Sequence, residues 1–165
     1  MLELVDRLAP EGEGPEEARR LFDFTLGVLR VLEASRPDAR LRTLLELRTL
    51  AALGLKPELS RCVRCSRGPG PGARVAFHVP EGGPVCPACQ GQDEGLVLIH
   101  LGTLRALEQG LRLPLERIDR VSLGAGALAE ARELAARFQR FHLGFALRSE
   151  PFLDRTLGAA ARSVS

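Results

Sequence analysis

Apolar residues return every three or four positions along most of this chain, and the rhythm is lost for any length only once. Leu2 to about Leu8 makes a first short helical run, which "PEGEGP" interrupts. Pro15 suits the first position of a new helix, where its missing N–H is not needed, and Glu16 and Glu17 favour the positive end of the helix dipole. Ala18, Leu21, Phe22, Thr25, Val28, Leu29 and Leu32 follow at spacings of three and four, which predicts an amphipathic helix ending near "ASRPD". The next run, "DARLRTLLELRTLAALGL", is leucine-rich on more than half of its circumference. Such a helix packs on two sides and is expected at the centre. Gly54 predicts a left-handed cap with Leu55 folded back toward Leu50, and Pro57 prevents continuation.

Residues 59–91 break the rhythm. Within them "ARVAFHVPEGGPVC" alternates around a Pro-Glu-Gly-Gly turn, which predicts a short β-hairpin. Helical spacing then returns in "LVLIHLGTLRALEQG", a short "LERIDR" piece and a long "GALAEARELAARFQRFHLGF", where Leu128, Ala131, Leu134, Phe138, Phe141 and Phe145 line one face. That phenylalanine face is expected to be core, not a ligand pocket. "SEPFLDRTL" adds a last helix with Ser149 as its cap, and "GAAARSVS" is expected to fray. The expected fold is therefore mainly α: a helical bundle, residues 1–58 and 92–165, with a four-cysteine module of the zinc-finger or zinc-ribbon kind inserted at 59–91.

Composition narrows the function. Among 165 residues the net charge is only +2, so any nucleic-acid surface has to come from local clustering. Lys56 is the single lysine, and Trp and Tyr are absent, leaving Phe, His or Arg for base stacking. The N-terminus carries Glu3 and Asp6 without a long apolar run, unlike a secretory signal, and no stretch approaches the roughly 20 apolar residues of a membrane span. The expected compartment is the cytoplasm, where stable disulfides are rare.

All four cysteines sit in the insert: Cys62 and Cys65, then Cys86 and Cys89, each pair C-x-x-C. This is the spacing of a four-cysteine zinc site, in which two thiolates on a tight turn grip one ion and a hairpin delivers the second pair. Gly68 and Gly91, just after each pair, are expected to let backbone amides turn toward the sulfurs. An iron–sulfur cluster uses the same ligands, and spacing alone does not separate the two. A thioredoxin-like redox pair would need a neighbouring βαβ pattern, and catalytic zinc would need an open position that four thiolates do not leave. One structural zinc ion is expected, with roughly 10–16 kcal/mol of binding coupled to local folding. The insert holds too few large apolar side chains to fold otherwise.

Lys56, Arg61, Arg64, Arg67 and Arg74 cluster around these cysteines with no acid between Ser60 and Pro80, making them candidate phosphate contacts. Of the histidines, His78 is expected to be exposed, His100 to cap a helix, and His142 to be a packed or surface residue. No Ser/His/Asp order, paired carboxylates or phosphate loop appears, "GPGPG" at 68–72 being too proline-rich for one, so the chain is not expected to be an enzyme.

The order of parts resembles the C-terminal domain of the bacterial RecO family. The resemblance rests on "LG-x-x-P-x-L-x-x-C-x-x-C" from Leu53 to Cys65, on "GGPVCPAC", and on "HLG…RS-x-x-FL" from His142 to Leu153. It implies a recombination mediator, associated with the nucleoid, that binds and anneals single-stranded DNA. It also implies work with RecR, contact with the acidic C-terminal tail of single-stranded-DNA-binding protein, and help in loading the RecA recombinase in gap repair. Cys62, Cys65, Cys86 and Cys89 carry over as metal ligands. The family begins with an OB-fold, and nothing before Cys62 has its five alternating strands, so a C-terminal domain lacking that part is expected. The competing expectations are a zinc-stapled protein–protein adaptor without DNA affinity and a thiol oxidoreductase without metal. No membrane contact or small-molecule substrate is expected.

Overall fold

The computed structural model describes residues 1–8, 14–70 and 72–160. In chain order these form α1 (Leu2–Leu8), α2 (Pro15–Ala34), α3 (Ala39–Ala52), β1 (Arg74–His78), β2 (Gly83–Val85), β3 (Leu96–His100), α4 (Leu101–Arg112), a 3-10 turn (Leu115–Arg120), α5 (Ala125–Leu143) and α6 (Glu150–Ala160). The mainly helical body with a small inserted sheet is as expected. Residues 161–165 of the tail expected to fray lie outside the described residues.

The leucine-rich α3 is the axis. It starts where the Asp38 carboxylate accepts the Leu41 N–H at 2.6 Å. It ends in the expected cap: Gly54 is left-handed (φ 85°), and Leu55 N–H donates to the Leu50 carbonyl at 2.8 Å. Leu41, Leu44, Leu45, Leu47 and Leu50 are all buried, and the helix packs against α1, α2, α4, α5 and the 3-10 turn. Its polar side chains reach outward to fasten those neighbours. The Arg48 guanidinium donates to the carbonyls of Gly110 (3.0 Å), Leu111 (3.1 Å) and Leu113 at the end of α4. Arg40 does the same for Asp119 and Val121 at the end of the 3-10 turn, at 2.8 and 2.7 Å. These are carbonyls that a helix end leaves without partners.

Three expectations about elements change. The stretch Leu96–His100, expected to open a helix, is a strand, and α4 begins only at Leu101. Short apolar runs are ambiguous between the two states, and here β1 decides: Val75 pairs with Ile99 and Phe77 with Val97, giving a three-stranded antiparallel sheet in the order β2-β1-β3. The expected β1–β2 hairpin is present, with Ala76 opposite Val85 and His78 opposite Gly83. In α2 only Val28 and Val31 are buried, while Phe22 and Leu29 of the expected stripe are 65% and 43% exposed. Among the described residues α2 packs against α3 and the 3-10 turn, and Phe22 and Leu29 lie off that contact. On α5, Ala131, Leu134 and Phe138 are buried as expected, but Phe141 is exposed, because the row through 134 and 138 continues at His142.

His142 is packed. Its ring lies 4.2 Å from that of Phe138, and its Nε2 donates to the Val79 carbonyl at 3.0 Å. His78, expected to be exposed, is buried: it pairs with Gly83 at the end of the hairpin, over which the first cysteine turn lies. His100 does precede α4, but its ring turns to Glu130 instead of capping. Ser149 precedes α6, yet its hydroxyl donates to Glu3 at 2.7 Å. The insert also does not depend on metal alone for a core. Val75, Phe77, Val79, Val97 and Ile99 belong to the same hydrophobic core as the helices, with Phe77 edge-on to Phe138. Among the described residues no helix is long and apolar enough to cross a membrane.

Candidate metal centre

Two tight turns present the cysteines. In the first, Ser66 N–H donates to the Cys62 carbonyl at 2.8 Å and Cys62 N–H to the Arg67 carbonyl at 2.7 Å. The left-handed residue that allows this is Ser66 (φ 60°), not the expected Gly68. In the second, Cys89 and Gln90 N–H groups both donate to the Cys86 carbonyl. Gly91 is likewise not left-handed, so neither expected glycine has that role.

The hairpin brings the turns together. Val63 N–H donates to the Pro84 carbonyl at 2.9 Å, and Glu58 N–H to the Gly82 carbonyl at 2.9 Å. The Gly-Gly before the second pair has a reason at each position. Gly82 is left-handed (φ 72°), and a Cβ on Gly83 would lie 2.3 Å from Val63 Cγ1. The first turn therefore rests directly on the hairpin backbone.

The four sulfurs converge, all within 4.8 Å of one another, as free thiols. Cys65 Sγ and Cys86 Sγ are 3.6 Å apart. A metal–sulfur bond of about 2.3 Å sets the edges of a sulfur tetrahedron at about 3.8 Å, so the donor set fits one tetrahedral ion. Burial would push the Cys62 thiol up, but the N–H groups of Cys86, Arg64 and Cys65 aimed at its sulfur bring it down to about 6. Cys89 is pushed up to about 12 by hydrogen bonding with Cys86 and Cys65, with burial adding to it. Four thiols packed this closely resist ionising together without a cation among them.

The five basic candidates separate in space. Lys56 and Arg61 line a groove of about 600 Å³ between the first cysteine turn and the end of α4, shared with Glu58, Glu108 and Arg112. Arg67 is exposed on the loop beyond the first pair, and Arg74 opens β1 beside the exposed Leu98. Arg64 differs from the rest. Its Nε and Nη2 bond Glu81, its two Nη atoms bond both Asp93 oxygens at 2.9 Å, and Nη1 also reaches the Cys89 carbonyl at 2.6 Å. The acid-free stretch from 60 to 80 is thus not acid-free in space. Arg64 holds the Asp93 carboxyl down at about 2, helped by the Gly91 N–H. Cysteine spacing does not point to Glu81 or Asp93, and no local pattern marks them. His78 Nδ1 is buried beside this network, 3.1 Å from Glu81 Oε1 but not aligned for a hydrogen bond.

Against known proteins, residues 1–151 match the family model described as "Recombination protein O C terminal". Three curated relatives, each named DNA repair protein RecO, give the scale of similarity. That of Frankia casuarinae is 36% identical over 156 residues, 94% of this chain and 60% of the relative. That of Pelotomaculum thermopropionicum is 36% identical over 162 residues, 98% and 60% respectively. That of Bacillus subtilis is 32% identical over 157 residues, 93% and 58%. The chain thus spans about 60% of the length of these relatives. No solved structure matches it.

Proposed function

Because this chain belongs to the RecO family of DNA repair proteins, we propose that it is a non-enzymatic mediator module of recombinational gap repair, built around one structural zinc ion held by Cys62, Cys65, Cys86 and Cys89. The observation that carries the zinc reading is the convergence of four thiols from two turns and a hairpin on one point of tetrahedral size. Zinc bound there would fix the fold of both turns, and four sulfur ligands would leave it no place for a reacting water. Residues 59–91 then act as an inserted module and 1–58 with 92–165 as one helical domain, whose strand 96–100 completes the module's sheet.

The proposed partners are those the family resemblance implies: single-stranded DNA, RecR and the C-terminal tail of single-stranded-DNA-binding protein, in the cytoplasm at the nucleoid. For DNA, Lys56, Arg61, Arg67 and Arg74 are the candidate phosphate contacts, since none of them forms an ion pair among the described residues. Arg64, with its donors taken by Glu81, Asp93 and the Cys89 carbonyl, drops out of that set.

A salt titration of single-stranded DNA binding tests the reading. Affinity should fall as salt rises, and replacing Arg61 and Arg67 by alanine together should flatten the log–log slope by about 0.7 for each phosphate left unneutralised. No binding, or binding that neither salt nor the two substitutions change, would favour the alternative, a zinc-stapled protein–protein adaptor. Metal analysis of the purified protein should find one zinc per chain; a reactive thiol pair with no metal would point to redox chemistry instead.

A further inference from the structure

We infer that Arg64 is a positioning residue of the metal centre, the tie that holds the two cysteine turns in register, and not a surface contact for nucleic acid. The inference rests on the zinc reading above. Arg64 lies between the two cysteines of the first turn, and its side chain is only 26% exposed. A guanidinium has five N–H donors in a rigid plane, and here each has an acceptor. Nε bonds Glu81, and Nη2 bonds Glu81 at 2.6 Å and Asp93 Oδ1 at 2.9 Å. Nη1 bonds Asp93 Oδ2 at 2.9 Å and the Cys89 carbonyl at 2.6 Å.

The acceptors come from different pieces of chain. Glu81 is in the turn between β1 and β2, Cys89 ends the second cysteine pair, and Asp93 follows it. Asp93 Oδ2 also accepts the Gly91 N–H at 3.1 Å, which fixes the backbone leaving the second turn. One side chain therefore joins the first turn, the hairpin tip and the second turn, the three segments whose relative placement decides whether four sulfurs meet. Outer-shell groups of this kind orient metal ligands and govern how tightly the ion is kept.

Charge adds a second role. Four thiolates around a divalent ion leave a net charge of −2, and Glu81 and Asp93 stand beside it. Arg64 neutralises part of that negative cluster. Lysine would supply the charge but not the planar fork, so it would not span two carboxylates and a carbonyl at once.

The test is transfer of zinc from the intact 165-residue chain to a chromogenic chelator, 4-(2-pyridylazo)resorcinol, followed by absorbance. Arg64→Ala and Arg64→Lys should both give up zinc faster and bind it about 10–100-fold more weakly than the parent, the usual cost in affinity of losing an outer-shell partner. Asp93→Asn should give a smaller acceleration and guards against Arg64 variants that fail to fold. Cobalt-substituted Arg64→Lys should show altered sulfur-to-cobalt absorption while the helical circular dichroism stays as in the parent, a signature that loss of fold would not give. Unchanged release from Arg64→Ala that still holds one zinc overturns the inference alone, whereas a parent protein without metal overturns the zinc reading with it. A loss of single-stranded DNA affinity in Arg64→Ala that Arg64→Lys restores, with zinc release unaltered, would assign Arg64 to phosphate instead.

Discussion

Glu3 shows how much of a residue's meaning lies far away in sequence. Its carboxylate accepts the Arg148 N–H at 2.8 Å, the Ser149 N–H at 2.9 Å and the Ser149 hydroxyl at 2.7 Å, tying α1 to the turn before α6. The Arg148 N–H first, then the Ser149 hydroxyl and N–H, hold its acid constant at about 2, against an ordinary 4.5. A carboxyl depressed on folding stabilises the native state above its ordinary range, and that contribution fades as pH falls from about 4.5 through about 2. Glu3→Gln should therefore be less stable than the parent at pH 7 in urea melts, with the gap closing through that window. A gap constant from pH 7 to pH 2 would deny the carboxylate this role. In the same way Arg61, Arg64 and Arg67 look equivalent along the chain. The fold alone gives one of them a full set of acceptors, because Glu81 and Asp93 arrive from 17 and 29 residues away.

At the scale of elements, periodicity identifies helices well and their surroundings poorly. Pro15, Asp38 and Gly54 set boundaries through local backbone chemistry, and all three are where that chemistry requires. Leu96–His100 has the spacing of a helix and is nevertheless a strand, because a strand's stability belongs to its partner, here β1, some twenty residues earlier. The stripe on α2 is legible, but not that only Val28 and Val31 of the helix become buried. Helix ends are joined by arginines that no pattern flags. Arg48→Met should keep the length of the side chain yet leave the carbonyls of Gly110, Leu111 and Leu113 without their charged donor. The expected loss is about 1.5–3 kcal/mol, seen as a lower urea midpoint at unchanged slope. A midpoint equal to the parent's would mean water replaces the guanidinium at no cost.

For the whole molecule, the sheet is shared property: its outer face carries the cysteine turns, and its inner face, through Phe77 and Val79, is seated on α5 at Phe138 and His142. Chelating the proposed zinc should consequently unfasten the turns and not the sheet. Hydrogen exchange after chelation is expected to lose protection in residues 60–67 and 86–93 while Val75, Phe77, Val97 and Ile99 keep theirs. Loss of protection in the whole insert together would show that it folds as a metal-dependent bead. By itself the sequence determined the helical rhythm, the Gly54 cap, the hairpin and the four cysteines with their family, because each is written in residues close together or at a fixed spacing. Only the tertiary structure decided that β3 joins the hairpin, that His78 is covered, that Gly83 must lack a side chain, and which arginine has its donors taken by the protein's own acceptors. Those outcomes depend on which surfaces meet, and packing and hydrogen-bond completion in three dimensions settle that without leaving a local mark in the chain.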